Sequence, residues 1–191
     1  MHRRDAIRNV AILLGTAISA STLSALESCT GSAPKSYDLH KPETKTLLAE
    51  IAETIIPKTD TPGAKEAKVE EFIITMINDC YKKEDQERFL EGLSKIDAAA
   101  KKQFKNGFNE LTPQQRTELL TQIDKERVEY NNRKDKKEND PPHHFQLLKE
   151  LTLLGYFTSE QGATKALRYV PVPGKYEGCI PYTKGEKAWA S

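Results

Sequence analysis

The sequence lacks the means for several common designs. Three cysteines among 191 residues are too few to staple a small secreted framework. Lysine plus arginine number 29 against 28 aspartate plus glutamate, a formal net charge of +1. A dedicated nucleic-acid binder would carry a basic excess or a high isoelectric point. Apolar residues make up 37%, below the usual share of about 45–50%. A mean hydropathy of −0.65 excludes a polytopic membrane protein. No collagen-like, rod-like or repeated pattern is present.

Catalytic signatures are missing too. The glycines are scattered, so there is no phosphate loop or dinucleotide fingerprint. There is no G-x-S-x-G elbow, no HExxH, no C-x-x-C and no calcium loop. The four histidines include the adjacent pair His143-His144. Neighbours on a helix point about 100° apart, so one metal rarely takes both. The pair reads as polar residues at a helix N-terminus. Asp79, Asp97 and Glu150 fit ordinary helix faces, and no acid–base dyad can be assigned. The sequence reads as a chain without its own active site, not an enzyme by itself.

What is present begins with an address. Arg3, Arg4 and Arg8 precede an uncharged stretch from Val10 to Leu26, the pattern of an export signal. Arg3-Arg4 followed by Asp5-Ala6-Ile7-Arg8 resembles a twin-arginine signal; Ala6 departs from the large apolar residue usual there. Leu26-Glu27-Ser28-Cys29 resembles a bacterial lipobox, with Glu27 out of pattern. Acylation of Cys29 would anchor the chain to a membrane surface without a spanning helix. Removing residues 1–28 takes away the three arginines with Asp5 and Glu27, leaving the mature chain neutral. Residues 29–42 form a polar tether, and residues 43–191 the folded domain.

That domain reads as all-α, a bundle of five to six helices with an irregular, extended C-terminal segment. Helices are expected over Glu43–Ile56, Ala64–Tyr81 and Lys83–Lys105, each with apolar residues at helical spacing. Lys58 to Gly63 is a turn-rich loop between the first two. Thr112-Pro113-Gln114-Gln115 has the form of a capping box with proline at the first helical position. It opens a fourth helix carrying Leu119, Leu120 and Ile123. Lys125 to Asp140 is densely charged with both signs and reads as an exposed insertion. A fifth helix is expected over Phe145–Leu154, with Leu154 inward and Gly155 as its C-terminal cap. A short sixth runs from Thr158 to Arg168. The tail is expected to lie on the bundle, held by Tyr169, Val170, Val172, Tyr176, Ile180, Tyr182 and Trp189.

Cys80 and Cys179 remain once Cys29 is set aside. In an oxidising compartment they are a disulfide candidate. Closing a loop of about 100 residues contributes on the order of several kcal/mol in the chain-entropy picture. Two separate buried thiols are the other reading.

Three segments carry a resemblance: ETIIPKTDTPGA at 53–64, KELTLLGYFTSE at 149–160, and ALRYVPVPG at 166–174 with YEGC at 176–179. They resemble the gluconate 2-dehydrogenase subunit 3 family, over roughly residues 42–182; the charged block 125–140 stands outside it. The resemblance implies a small, non-catalytic subunit of a membrane-associated sugar or sugar-acid dehydrogenase. The large subunit would be a GMC-type flavoprotein carrying FAD, and a c-type cytochrome subunit with haem c would pass electrons onward. The small subunit would support export, folding and assembly, in the periplasm and at the membrane. Tyr156, Phe157, Tyr169, Pro171 and Pro173 are then interface candidates, anchors of large area and few rotors; packing of the tail on its own bundle is the alternative use of these residues. The competing function is a stand-alone exported lipoprotein that binds a sugar or polymer without a flavoprotein.

Overall fold

The computed structural model describes residues 37–137, 140–172, 174–175 and 178–190. Five α-helices account for most of them: α1 Pro42–Ile55, α2 Val69–Cys80, α3 Lys83–Phe104, α4 Pro113–Asn132 and α5 His144–Phe157. A 3-10 turn, Phe108–Glu110, joins α3 to α4, and a π turn, Gly162–Ala166, follows α5. The fold is all-α. Among the described residues the sole strand-like pairing is an isolated parallel bridge between Arg168 and Trp189. No described helix is long and apolar enough to cross a membrane.

The helices start and stop for local reasons. Pro42 opens α1, where its missing N–H costs nothing. The capping box at Thr112 forms: its hydroxyl accepts from the Gln115 N–H, and Gln115 Oε1 accepts from the Thr112 N–H. Lys105, left-handed at φ 65°, closes α3. The expected start of α2 at Ala64 moves to Val69. Lys68 adopts a left-handed conformation, φ 52°, immediately before it, and residues 64–68 form turns.

The core fills as the apolar spacing requires. Leu47, Leu48 and Ile51 of α1 meet Ile73 and Ile77 of α2 and Leu119 and Ile123 of α4. Helix α5 brings Phe145, Leu148 and Leu151 into the same cluster and packs on α1, α2, α3 and α4. Phe108, on the 3-10 turn, is fully buried. Asp97, expected on an ordinary helix face, is instead a buried tie point. One oxygen accepts from the Phe108 N–H at 3.0 Å and the other pairs with Lys101 at 2.8 Å. The Tyr37 hydroxyl also bonds it, and burial plus this carboxylate push the phenol's pKa upward.

Several expectations on the helices are corrected. Cys80 continues the apolar spacing of Ile73 and Ile77 yet is exposed at the last residue of α2. Much of the charged stretch is the solvated end of α4, which runs to Asn132. Beyond it Arg133 pairs with Asp140 and stacks on Tyr130 at 4.2 Å. Helix α5 does not stop at Leu154, because Gly155 lies inside it and is buried against Phe72. A Cβ on Gly155 would come within 2.5 Å of the Phe72 ring. Thr158 caps the helix instead. The sixth helix is a single π turn: Gly162 sits so close to the Tyr156 carbonyl that a Cβ would lie 1.9 Å from its oxygen.

Candidate interaction surface

Helix α5 is apolar around nearly the whole of its last seven residues, about two turns, LTLLGYF at 151–157. A helix of that kind is normally buried on all sides. Here the bundle covers one side alone. Leu151, Thr152, Gly155 and Tyr156 are buried, whereas Leu154 is 48% and Phe157 42% exposed, and Leu153 faces solvent with them. Leu154 thus points outward, contrary to expectation. The helical repeat places residues 151, 152 and 155 on one face and 153, 154 and 157 on another.

The buried side is fixed by long-range polar contacts. The Tyr156 hydroxyl donates to the Pro62 carbonyl at 2.7 Å. Pro62 belongs to the loop after α1, which Glu53 holds from within. Its two carboxylate oxygens accept from the Lys58 N–H at 3.0 Å and the Lys65 N–H at 2.9 Å. Gly63 lies so near that a Cβ would meet those oxygens at 2.4 and 2.5 Å. Glu50, one turn earlier, pairs with Lys65 and Arg116. Burial alone would raise its pKa, but these two cations outweigh that and hold it down. Past α5, the Ser159 hydroxyl donates to the Tyr156 carbonyl and accepts from the Gly162 N–H.

The exposed side is met by the C-terminal segment. Leu153, Leu154, Phe157 and Leu167 line a groove of about 410 Å³ whose other wall is Trp189 and Ala190. Arg168 organises that wall. Its N–H donates to the Ala188 carbonyl at 2.8 Å and its carbonyl accepts from the Ala190 N–H at 3.1 Å. Its guanidinium lies 3.7 Å from the Trp189 ring centroid and pairs with Glu186. Except at this point the tail is not packed as expected. Tyr169, Val170, Val172, Ile180 and Tyr182 are all exposed.

Tyr156 cannot offer its ring to a partner, being 2% exposed and part of the core. Phe157, Tyr169 and Pro171 are exposed. Arg3, Arg4, Cys29, Pro173 and Tyr176 lie outside the described residues. Cys80 and Cys179 are both free, exposed thiols in this structure. His143 caps α5, its Nδ1 accepting from the Phe145 N–H at 3.3 Å. Among the described residues no group of three or more His, Cys, Asp or Glu is placed to hold a metal ion. A second, smaller groove of about 240 Å³ lies where α1, α4 and α5 meet, beside the Asp124–Lys149 ion pair.

Residues 42–174 match the family described as gluconate 2-dehydrogenase subunit 3. The chain belongs to that family. No curated protein and no solved structure matches it. The matched residues of this subunit 3 chain begin at the first residue of α1 and run through α5 and the π turn. They take in the Glu53 loop, the Tyr156–Pro62 contact and the apolar face of α5. They also span the charged stretch 125–140, which the sequence reading had set aside. The wall formed by Trp189 lies beyond them. The family is that of a small accessory subunit of a multi-subunit dehydrogenase.

Leu153, Leu154 and the Arg168–Trp189 contact are not among the functional residues that the sequence picks out. The first two carried a signal, since one helix face cannot account for the apolar run LTLLGYF. The third carried none: twenty residues separate the partners, and no periodicity links them.

Proposed function

We propose that this chain is the non-catalytic small subunit of an exported FAD-dependent dehydrogenase, and that it supports export, folding and assembly of the flavoprotein. The large subunit is a GMC-type dehydrogenase holding FAD, and a c-type cytochrome with haem c takes the electrons onward. A twin-arginine signal with Arg3 and Arg4 directs export, and acylation of Cys29 holds the complex at the periplasmic face of a membrane. The observation that carries this reading is the part-exposed apolar face of α5, which the helical bundle leaves open, on a chain of this family. Leu153, Leu154 and Phe157 form one contiguous patch at a helix end, and such patches on a folded chain mark interaction sites.

Helix α5 supplies the patch and its rigidity together. Its inner face is locked by the core and by the Tyr156–Pro62 bond, so the helix that carries the outer face is already ordered. Preorganisation of that kind lowers the entropic cost of association. The test is co-expression with a GMC-type flavoprotein from the same source. Exported, FAD-loaded large subunit should fall when this chain is deleted, and fall comparably with Phe157→Asp. Unchanged export and activity after deletion would overturn the reading.

A further inference from the structure

We propose that Glu186–Ala190 is a releasable strap, latched by Arg168, that covers the apolar end of α5. The strap lies beyond the matched residues 42–174, so nothing about the family assigns it a role. Its opening uncovers the face that receives the large subunit, a clause that rests on the function proposed above.

Most of the groups that tie the strap to the bundle meet at the half-buried Arg168. Two backbone hydrogen bonds link it to Arg168. Further contacts are the Arg168–Glu186 ion pair, the Arg168–Trp189 stack and a bond from Lys187 Nζ to the Lys165 carbonyl. Residues 178–189 are all exposed, including Trp189 at 52%. That ion pair is 31% and 35% exposed at its two side chains, so it is partly screened by salt. Ordering the segment costs backbone entropy that so few contacts barely offset. Segments with these properties open locally while the rest of a domain stays folded.

What the strap covers is specific. Trp189 and Ala190 face Leu153, Leu154 and Phe157 across the groove. In the closed state the indole shields part of the apolar surface of Leu153, Leu154 and Phe157, which otherwise meets water. When the strap lifts, that surface is free for another apolar occupant. The latch centres on Arg168, which holds the backbone, the acid and the ring of the strap at once.

Trp189 is the only tryptophan in the chain, so its emission reports the strap and nothing else. Arg168→Ala and Glu186→Gln each break the latch at a different group. Both variants should keep the helical circular dichroism of the parent, shift tryptophan emission to the red, and bind more 8-anilinonaphthalene-1-sulfonate. Added salt should move the parent the same way. Trp189→Ala, which removes the cover itself, should also raise dye binding. Unchanged emission in both latch variants, with unchanged dye binding in Trp189→Ala, overturns the strap. The purified large subunit should bind Trp189→Ala about tenfold more tightly than the parent, a typical coupling between two states. Weaker binding would make Trp189 a contact and sink its role as a cover. A dye response with no binding of the large subunit to any form sinks the proposed partner and leaves the strap standing.

Discussion

The Tyr156 hydroxyl donates to the Pro62 carbonyl across 94 residues of sequence, at 2.7 Å. The bond joins the end of α5 to the loop that follows α1. Glu53 holds that loop from the other side through the Lys58 and Lys65 N–H groups. The apolar face of α5 is therefore oriented through a loop bonded to the buried side of the helix.

Tyr156→Phe keeps the ring in the core and removes one donor, leaving the Pro62 carbonyl unpaired. The expected loss is about 1–2 kcal/mol. Glu53→Ala frees two loop N–H groups and should cost about 1–3 kcal/mol. Urea denaturation of each variant and of the double variant measures both. The double variant should lose less than the sum, because both act through one loop. Strict additivity would show that the two contacts are independent.

Gly162→Ala should be far more damaging than Gly155→Ala. The first would drive a methyl into the Tyr156 carbonyl, which belongs to the backbone of α5 and cannot swing aside. The second meets the Phe72 ring, and overpacking of that kind costs about 1–3 kcal/mol. Thermal unfolding ranks them; an equal or milder effect of Gly162→Ala would contradict the geometry.

Stability should fall as pH drops below the ordinary histidine range. Burial, then His143 and Lys95, pushes the His144 imidazole down from 6.5 to about 4. Burial is also the main cause that lowers His143, with Arg127 and Lys95 adding to it against Glu126 and Asp124. Between about 4 and 6.5 the unfolded chain binds more protons than the folded one, so unfolding is favoured as pH falls. Protonation of His143 also removes the acceptor that caps α5. Below that window Glu50 and Asp124, both depressed by their cations, lose their contribution as they are protonated. Denaturation midpoints measured across pH should show the upper step, and His144→Gln should flatten it.

Phe157→Asp should fold as the parent does, since the side chain is already half in water. It should weaken binding of the large subunit by at least about 30-fold if Phe157 is a hot-spot anchor, a loss of about 2 kcal/mol. Tyr182→Asp, on an exposed tail position outside the groove lining, should leave binding unchanged. Titration calorimetry of both variants checks the contrast.

Cys80 and Cys179 should both label with a maleimide in the folded chain, as exposed thiols do. A mass two hydrogens lower, with no labelling until a reductant is added, would establish the disulfide that the sequence allows in an oxidising compartment.

Helical spacing was legible because each helix buries one stripe. Leu47, Leu48 and Ile51, or Phe89, Leu93 and Ile96, announce their inward face without any partner in view. The capping box at Thr112 was legible for the same reason: all its groups lie within four residues. The site was legible only in part. Phe157 stood out as an aromatic in a recognisable segment. Yet Tyr156, its neighbour in the same segment, belongs to the core, and composition does not distinguish the two.

By itself, then, the sequence determined the all-α class, most helix positions and the family, because local periodicity and short segments encode them. Tertiary structure decided which apolar residues are left over. Gly155 reads as a helix stop until Phe72 is seen to need its missing side chain. Leu154 reads as core until α5 is placed with the bundle on one side only. Asp97 reads as a surface acid until the 3-10 turn delivers the Phe108 N–H to it. Arg168 and Trp189 meet only because the chain turns back. Each of these depends on contacts between distant parts of the chain, and no local pattern carries that information.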